Sequence, residues 1–335
     1  MYLDDIAQTY AYTAPAAEIS SEAPSIRVTR QTPEAEAGEL SVLTYNVRGL
    51  PWPLALNRAK ALREIGRELA AMRQAGRQPD LVLIQEGFRE EIADLVRESG
   101  YAYWARGPGR PLAKLTNGGL HVLSDAPILE VRSAAFGACA GFDCLANKGA
   151  MMVRVQPDWS PTPIDVVNTH MNARKASGAP RSQTLPAHHG QTRELTAFVT
   201  AHRDPKHPLV VGGDFNIRNS AARYDYQAET RPFAVVEEYC SRSGSGCGAG
   251  APDTTTKPWL RTQDLQGFRD GVVRVQPVAS RYLFDRGSAR LSDHDGYLVR
   301  YQLSWRRETL AAVYQPDPSV KVTPHKLGFR VSWAP

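Results

Sequence analysis

Four apolar runs in this 335-residue chain end on groups that can hold a cation or move a proton, and a polar segment further on carries two more. LTYN ends on Asn46, LVLIQE on Glu86, VVNTHMN on His170 and Asn172, and LVVGGDFN on Asp214 and Asn216, while LSDHDG holds Asp293 and His294. Residues two apart in an extended segment face the same side, so His170 can sit beside Asn172 and Asp214 beside Asn216. Each ending alone has an ordinary explanation, since Asn is a turn former and an Asp-His pair is commonly a solvated loop. Glu86 is harder to explain that way, because a carboxylate directly after Leu-Val-Leu-Ile is costly to bury unless a cation or several donors meet it. Together the endings supply hard oxygen ligands, two imidazoles and side-chain amides, the set that phosphoryl transfer requires. A hard divalent cation such as Mg²⁺ takes oxygen ligands. It screens the phosphate and stabilises the leaving oxygen, while a carboxylate or imidazole handles the proton of the attacking water.

The elements that must position these groups alternate in type. In NRAKALREIGRELAAMRQAG, Leu62, Ile65, Leu69 and Met72 recur at spacings of three and four, which predicts a helix with one apolar face. DLVLIQE reads as a strand covered on both faces. Further strands are predicted at 118–124, 127–135, 149–155, 163–169, in HPLVVGGD, and near 272–278 and 295–304, with a helix at 190–202. The stretch 219–260 is polar and Gly-rich, yields no element, and is expected to hold the most mobile loop. Residues 1 to about 38, rich in Ala, Pro, Ser and Glu, read as an extended or poorly ordered arm. One catalytic-size domain over 39–304 and a C-terminal extension over 305–335 that packs on it complete the expectation. The order of elements predicts a layered α/β protein.

Hydrophobic content of 42% with 22% charged residues fits a globular chain and excludes overall disorder. No apolar run is long enough to cross a bilayer as a helix. The net charge of +5 arises from 40 basic and 35 acidic residues spread along the chain, so anionic partners are tolerated rather than demanded. Cys139 with Cys144 and Cys240 with Cys247 form two close pairs. Three connectivities are open, with two local bridges the simplest in an oxidising compartment and free buried thiols the alternative. Neither pair has the spacing of a zinc site. This favours a secreted or periplasmic protein. MYLDDIAQTY lacks the basic and apolar regions of a leader, so either a leader has been removed or the protein is cytoplasmic.

LTYNVRG, DLVLIQEGF, NTHMNA, VVGGDFNI and LSDHDGY, in this order, resemble the endonuclease/exonuclease/phosphatase superfamily over roughly residues 40–304. The resemblance implies a four-layer α/β sandwich, two packed mixed β-sheets flanked by helices, with the site at one edge. It implies that Asn46, through its amide oxygen, and Glu86 hold the metal, with Asp293 in the coordination sphere. Mg²⁺ is the implied ion, with Mn²⁺ or Ca²⁺ as substitutes. His170 would contact the phosphate, Asp214 would orient or deprotonate the attacking water, and Asn216 would hold a phosphoryl oxygen. His294 would be general base or transition-state stabiliser, a choice left open. Family members orient that histidine with an Asp from an earlier strand, often followed by an aromatic residue. Asp264 in LRTQDLQGF matches except for Leu265, so Asp285 in LFDRG stays as a rival.

CLANKGAMMVRV, residues 144–155, narrows the branch: Asn-Lys-Gly before a strand is similar to sphingomyelinases and inositol phosphatases. Lys148 could neutralise a phosphate as a point charge, with a solvated turn as the alternative, and Asn172 is the other candidate on the substrate side. NVRGLPWP also resembles the sphingomyelinase form. The expected function is a monomeric Mg²⁺-dependent phosphodiesterase cleaving a phospholipid headgroup at a membrane surface. A nuclease acting on nucleic acid or an inositol-phosphate phosphatase is the alternative, and a non-catalytic binding module is poorly motivated. The mild charge excess suits a nuclease less, since that binding relies on many phosphate contacts. No aromatic hairpin for membrane insertion is legible; Trp52, Trp104, Trp159 and Trp259 read as core or rim residues. His121 reads as a core histidine, and His188, His189, His202 and His207 receive no role.

Overall fold

The computed structural model describes residues 35–51, 54–248, 263–285, 290–313, 320–325 and 328–333. In chain order the elements are β1 (Ala35–Asn46), α1 (Arg58–Gln74), β2 (Leu81–Gln85), α2 (Ile92–Ser99), β3 (Tyr103–Arg106), β4 (His121–Ser124), β5 (Ile128–Ala135), β6 (Gly149–Val155) and β7 (Ile164–His170). There follow α3 (Arg181–His202), β8 (Leu209–Asp214), α4 (Ala221–Thr230), β9 (Ala234–Val235), α5 (Val236–Ser243), β10 (Asp264–Arg269), β11 (Arg274–Leu283), β12 (Gly296–Arg306) and α6 (Arg307–Val313). A last hairpin pairs β13 (Val320–His325) with β14 (Gly328–Trp333).

Side-chain alternation along the strands sets the layers. One six-stranded mixed sheet runs β11-β12-β1-β2-β4-β3 and the other β5-β6-β7-β8-β10-β9. Leu40 and Val42 of β1 face inward with Leu81 and Leu83 of β2, and meet Val153, Val166 and Val210 of the second sheet. Leu43 and Tyr45 face outward onto Leu62, Ile65 and Leu69 of α1, the stripe that the sequence predicts, and onto Leu95 of α2. On the far side Met152, Val167 and Val211 pack under Leu195, Phe198 and Val199 of α3 and Tyr224 of α4. The result is the four-layer α/β sandwich expected, helix on sheet on sheet on helix.

Buried amides hold the two sheets together just below the site. Gln85 Nε2 donates to Thr44 Oγ1 at 3.0 Å and to Asn168 Oδ1 at 2.7 Å, and Asn168 Nδ2 donates to the carbonyls of Ile84 and His121. Gln266 Nε2 reaches the carbonyls of Val42 and Tyr297 from the opposite sheet. These bonds are directional where the hydrophobic core is not, so they set how the two sheets lie on one another.

Several boundaries differ from expectation. β1 begins at Ala35 and pairs with β12 from its first residue, so the expected limit near 38 falls inside a strand. α3 starts at Arg181, well before 190, because its buried face includes the polar Thr184, His188, Gln191 and Thr192 and the helix contains Pro186, so the apolar pattern is broken there. α4 and α5 lie in the stretch that yielded no element, since Arg223, Gln227 and Glu237 occupy buried positions there. Trp52 and Trp259 lie outside the described residues; Trp159 stacks on Trp305. Both local disulfides, Cys139–Cys144 and Cys240–Cys247, are formed. No helix among the described residues is long and apolar enough to cross a membrane.

Candidate active site

Five strand ends deliver the site. β1 and β2 run parallel with Asn46 opposite Gln85, so the next residue, Glu86, leaves the sheet beside Asn46. In the facing sheet His170 pairs with Asp214 across the parallel β7–β8 ladder, and Asp264 pairs with Asp214 across the antiparallel β10–β8 ladder. Asp214 therefore has His170 on one flank and Asp264 on the other. Glu86 turns at φ 58°, unusual for a residue with a Cβ. Its carbonyl oxygen would lie 2.4 Å from a Cβ at residue 49, which explains the glycine in NVRG.

Asn46 is fully buried, and its Nδ2 donates to Glu86 Oε1 and Asp214 Oδ2, both at 3.0 Å. Its oxygen, expected on the metal side, instead accepts the Arg48 N–H at 3.0 Å. Two adjacent buried carboxylates need donors, and the NH₂ end is the one that supplies them. His170 Nε2 lies 3.4 Å from Asp214 Oδ2 and 4.0 Å from Glu86 Oε1. Lys148 is buried, with its amine 3.0 Å from His170 Nε2, 3.1 Å from Asp143 Oδ1 and 3.3 Å from the Met171 carbonyl. This excludes the solvated-turn alternative for Lys148.

On the other flank, His294 Nδ1 sits 2.8 Å from Asp264 Oδ2, and its Nε2 is 3.8 Å from Asp214 Oδ2. The contact selects Asp264 over Asp285, which is exposed. Leu265, the departure from the family pattern, points away into the core under α3.

Two expected site residues are placed elsewhere. Asn172 is fully buried, with Oδ1 accepting from the Ala140 N–H and Nδ2 donating to the Ala173 carbonyl, so its amide ties loops together. Asp293 has a side chain 55% exposed and turned to Arg48 at 3.5 Å. Its neighbour His294 takes the inward direction, and adjacent side chains do not share one. Asn216 lies at the site through its backbone, donating its N–H to Asp214 Oδ1, while its Nδ2 holds the Met171 carbonyl.

The electrostatics follow from packing carboxylates together in a dry place. Burial, and then the Asp264 charge, push Asp214 up to about 7. Burial likewise raises Glu86. Burial, together with the Lys148 charge, holds His170 well below the usual imidazole range, so this ring is neutral. For His294 burial pulls the other way, but Asp264, Asp214 and Glu86 outweigh it and push it up to about 10. Glu86, His170 and Asp214 bring ligand atoms within 4.8 Å of one another, and Asp214, Asp264 and His294 form a second such group. Two raised carboxylates sharing one amide donor are a fit for a hard divalent cation, which would lower both.

Three contributors have no motif in the sequence. Asp143 pairs with Lys148 and also accepts the Ala173 N–H; its place inside the Cys139–Cys144 loop was the only available hint. The Gln263 side-chain amide lies against His294 Nε2. Arg223 is a buried guanidinium that donates to the carbonyls of Asn172, Asn216 and Thr184, stitching the exits of β7 and β8 to α3. Burial pulls it down to about 10. His121 is the core histidine expected, bonded to the Gly87 carbonyl and Trp104 Nε1.

Residues 43–294 match the model of the Endonuclease/Exonuclease/phosphatase family, and the chain belongs to that family. A sphingomyelinase of Mycobacterium tuberculosis (strain ATCC 25618 / H37Rv) is 29% identical over 205 residues, covering 60% of this chain but 38% of that protein. The chain thus spans well under two thirds of that relative's length. Among solved structures, sphingomyelinase C from Streptomyces griseocarneus is similar at a TM-score of 0.59 and 22% identity, covering 78% of this chain and 99% of that one. D. rerio TDP2 complexed with single-strand DNA product is similar at 0.56 and 15% identity, over 78% and 98%. At those identities the two structures speak to the fold.

Proposed function

We propose that this chain is a divalent-metal-dependent phosphodiesterase that releases a phosphocholine-type headgroup from a phospholipid by in-line attack of water. The observation that carries this reading is that Asp214 is shared between two assemblies, the Glu86–Asn46–His170 group and the Asp264–His294 pair. Glu86 and Asp214 would hold the metal, with Asn46 between them. When bound, the ion supplies positive charge that favours attack at phosphorus and departure of the leaving oxygen. Lys148, anchored by Asp143, and the neutral His170 beside it face the phosphoryl oxygens and stabilise the charge that grows on them. Asp214 Oδ2 and His294 Nε2 face one another at 3.8 Å, so that one water between them can reach both. The proton of the attacking water goes to that pair, with Asp264 holding the imidazole. A P–O bond forms to water, the P–O bond to the lipid alcohol breaks, and the departing oxygen takes up a proton.

The sphingomyelinase relatives and the fixed Lys148 support a lipid phosphodiester over nucleic acid. The two disulfides support a secreted or periplasmic setting. Assaying the protein with Mg²⁺ and with a chelator on sphingomyelin vesicles and on plasmid DNA tests the reading. Metal-dependent phosphocholine release is expected. Nicked DNA with no phosphocholine would overturn the substrate, and turnover unaffected by chelation would overturn the metal.

A further inference from the structure

Large apolar side chains that remain exposed among the described residues are not scattered evenly. They are Leu54, Leu56, Leu112, Leu115, Phe142 and Leu145, with Leu129 apart from the rest on β5. The strand registers show where the first six lie. β1 ends at Asn46 and hands on to the segment with Leu54 and Leu56. Ile84 at the end of β2 pairs with His121 at the start of β4, and Arg106 of β3 pairs with the same residue, so the β3–β4 loop with Leu112 and Leu115 emerges at that end too. Ala135 pairs with Gly149, and Ala150 with Thr169 just before His170, so the β5–β6 loop with Phe142 and Leu145 emerges there as well. Leu129 lies at the opposite end of β5, next to Ile128, which pairs with Val155. Among the described residues, every exposed large apolar side chain except Leu129 therefore sits at the edge that carries the site.

Two of these loops are built into one ridge. The Leu115 N–H donates to the Leu145 carbonyl at 2.7 Å, Lys114 Nζ donates to the Cys144 carbonyl at 2.8 Å, and Asn147 Nδ2 donates to the Gly109 carbonyl at 2.9 Å. The Cys139–Cys144 bridge closes the short turn that carries Phe142. Phe142 rests over Gly178, where a Cβ would come within 2.7 Å of its ring. The ridge runs directly into the site, since Asp143 and Lys148 belong to the same loop as Phe142 and Leu145.

Charge on these segments differs from the chain as a whole. Segments 47–57, 107–120, 136–148 and 171–180 hold six basic residues, among them Arg110, Lys114 and Lys175, against one acid, Asp143, which is paired with Lys148. The whole chain is near balance, with 40 basic and 35 acidic residues. Apolar points set among cations suit the interfacial zone of a phospholipid bilayer, where the side chains enter the acyl boundary and the cations meet phosphate groups. A contiguous exposed apolar patch beside a site also calls for a partner.

We propose that the ridge of Leu112, Leu115, Phe142 and Leu145, with Leu54 and Leu56 across the site, docks this protein onto a phospholipid bilayer so that the Lys148 side of the site faces the headgroups. The proposal deepens the phospholipase reading and rests on it for the orientation of the site. The test compares Leu112→Ser/Leu115→Ser/Phe142→Ser with the parent chain and with Leu129→Ser. Co-sedimentation uses phosphatidylcholine vesicles doped with phosphatidylserine, and turnover is followed on soluble p-nitrophenylphosphorylcholine; far-ultraviolet circular dichroism checks the fold. The triple variant is expected to lose vesicle affinity by about tenfold or more while soluble turnover changes less than about twofold, and Leu129→Ser is expected to match the parent. Unchanged sedimentation of the triple variant, or a parent chain that does not sediment, overturns the docking surface. Loss of affinity for single-stranded DNA with vesicle binding intact overturns it in favour of a nucleic-acid partner. A parent chain that binds vesicles through the ridge but cleaves no choline phosphodiester supports the docking surface and overturns the substrate reading instead.

Discussion

Asp214 touches both halves of the candidate site, and its position costs stability. Burial first, and then the Asp264 charge, raise its carboxyl from the ordinary aspartate value of 3.8 to about 7. Above pH 3.8 the unfolded chain gives up this proton while the folded chain keeps it, so stability declines as pH rises toward about 7 and stays reduced above. Asp214→Asn removes that penalty. In chelator at pH 8 the variant is expected to melt higher, by roughly 1–3 kcal/mol of added stability, while turnover falls about 10³-fold or more. A melting point unchanged or lowered would refute the electrostatic account. Asp264→Asn makes a separate prediction: His294 loses the partner that holds its ring, and kcat is expected to fall about 10²–10⁴-fold with KM little changed, as initial rates would reveal.

At the scale of elements, the strands supply direction and the loops supply the groups that lock it. Asn168 joins β7 to the end of β2 through Gln85 and through the Ile84 carbonyl. Asn168→Ala removes one of the three acceptors of Gln85 Nε2 and the side-chain donor to the Ile84 and His121 carbonyls in the sandwich interior, and is expected to lower the urea midpoint by the equivalent of about 1–3 kcal/mol. The Cys139–Cys144 loop holds Asp143 against Lys148. Replacing both cysteines with alanine is expected to raise KM and to lower the unfolding free energy by about 2–3 kcal/mol. If steady-state constants were unchanged in the double variant, the loop would be a stability element alone.

Among the described residues, burial holds three histidines below the ordinary imidazole range. Burial pulls His121 down to about 4 and His188 down to about 3, and it holds His170 well below its usual range. The unfolded chain protonates these rings near pH 6.5, so their contribution is intact above that value and is lost as pH falls toward about 4 and 3. Asp214, Glu86 and His294, all raised, work in the opposite sense. Melting of the parent and of a His188 variant followed from pH 7 to pH 5 isolates one ring, whose share of the slope is a loss of about 2 kcal/mol. His188→Gln, which can still donate to the Phe215 carbonyl, is expected to flatten that slope.

The apolar runs with their polar endings pointed to most of the strands and to the layered fold, because period and burial are written into local composition, while the ordered motifs carried the resemblance to the family. They also singled out Glu86, His170, Asp214 and His294, which the structure brings together, since a titratable group at the end of a buried strand has few innocent explanations. Side-chain direction was decided only by tertiary structure. Asn172 follows His170 by two residues, yet its amide turns to loop backbone, and Asp293 yields the inward direction to its neighbour. Asp264 prevails over Asp285 because the β10–β8 register sets it opposite Asp214. Arg223 is buried in a stretch whose sequence yielded no element, and the apolar ridge joins residues from separate loops. Such placements depend on which strands pair and which loops meet. Those are contacts between residues far apart in the chain, and no local pattern encodes them.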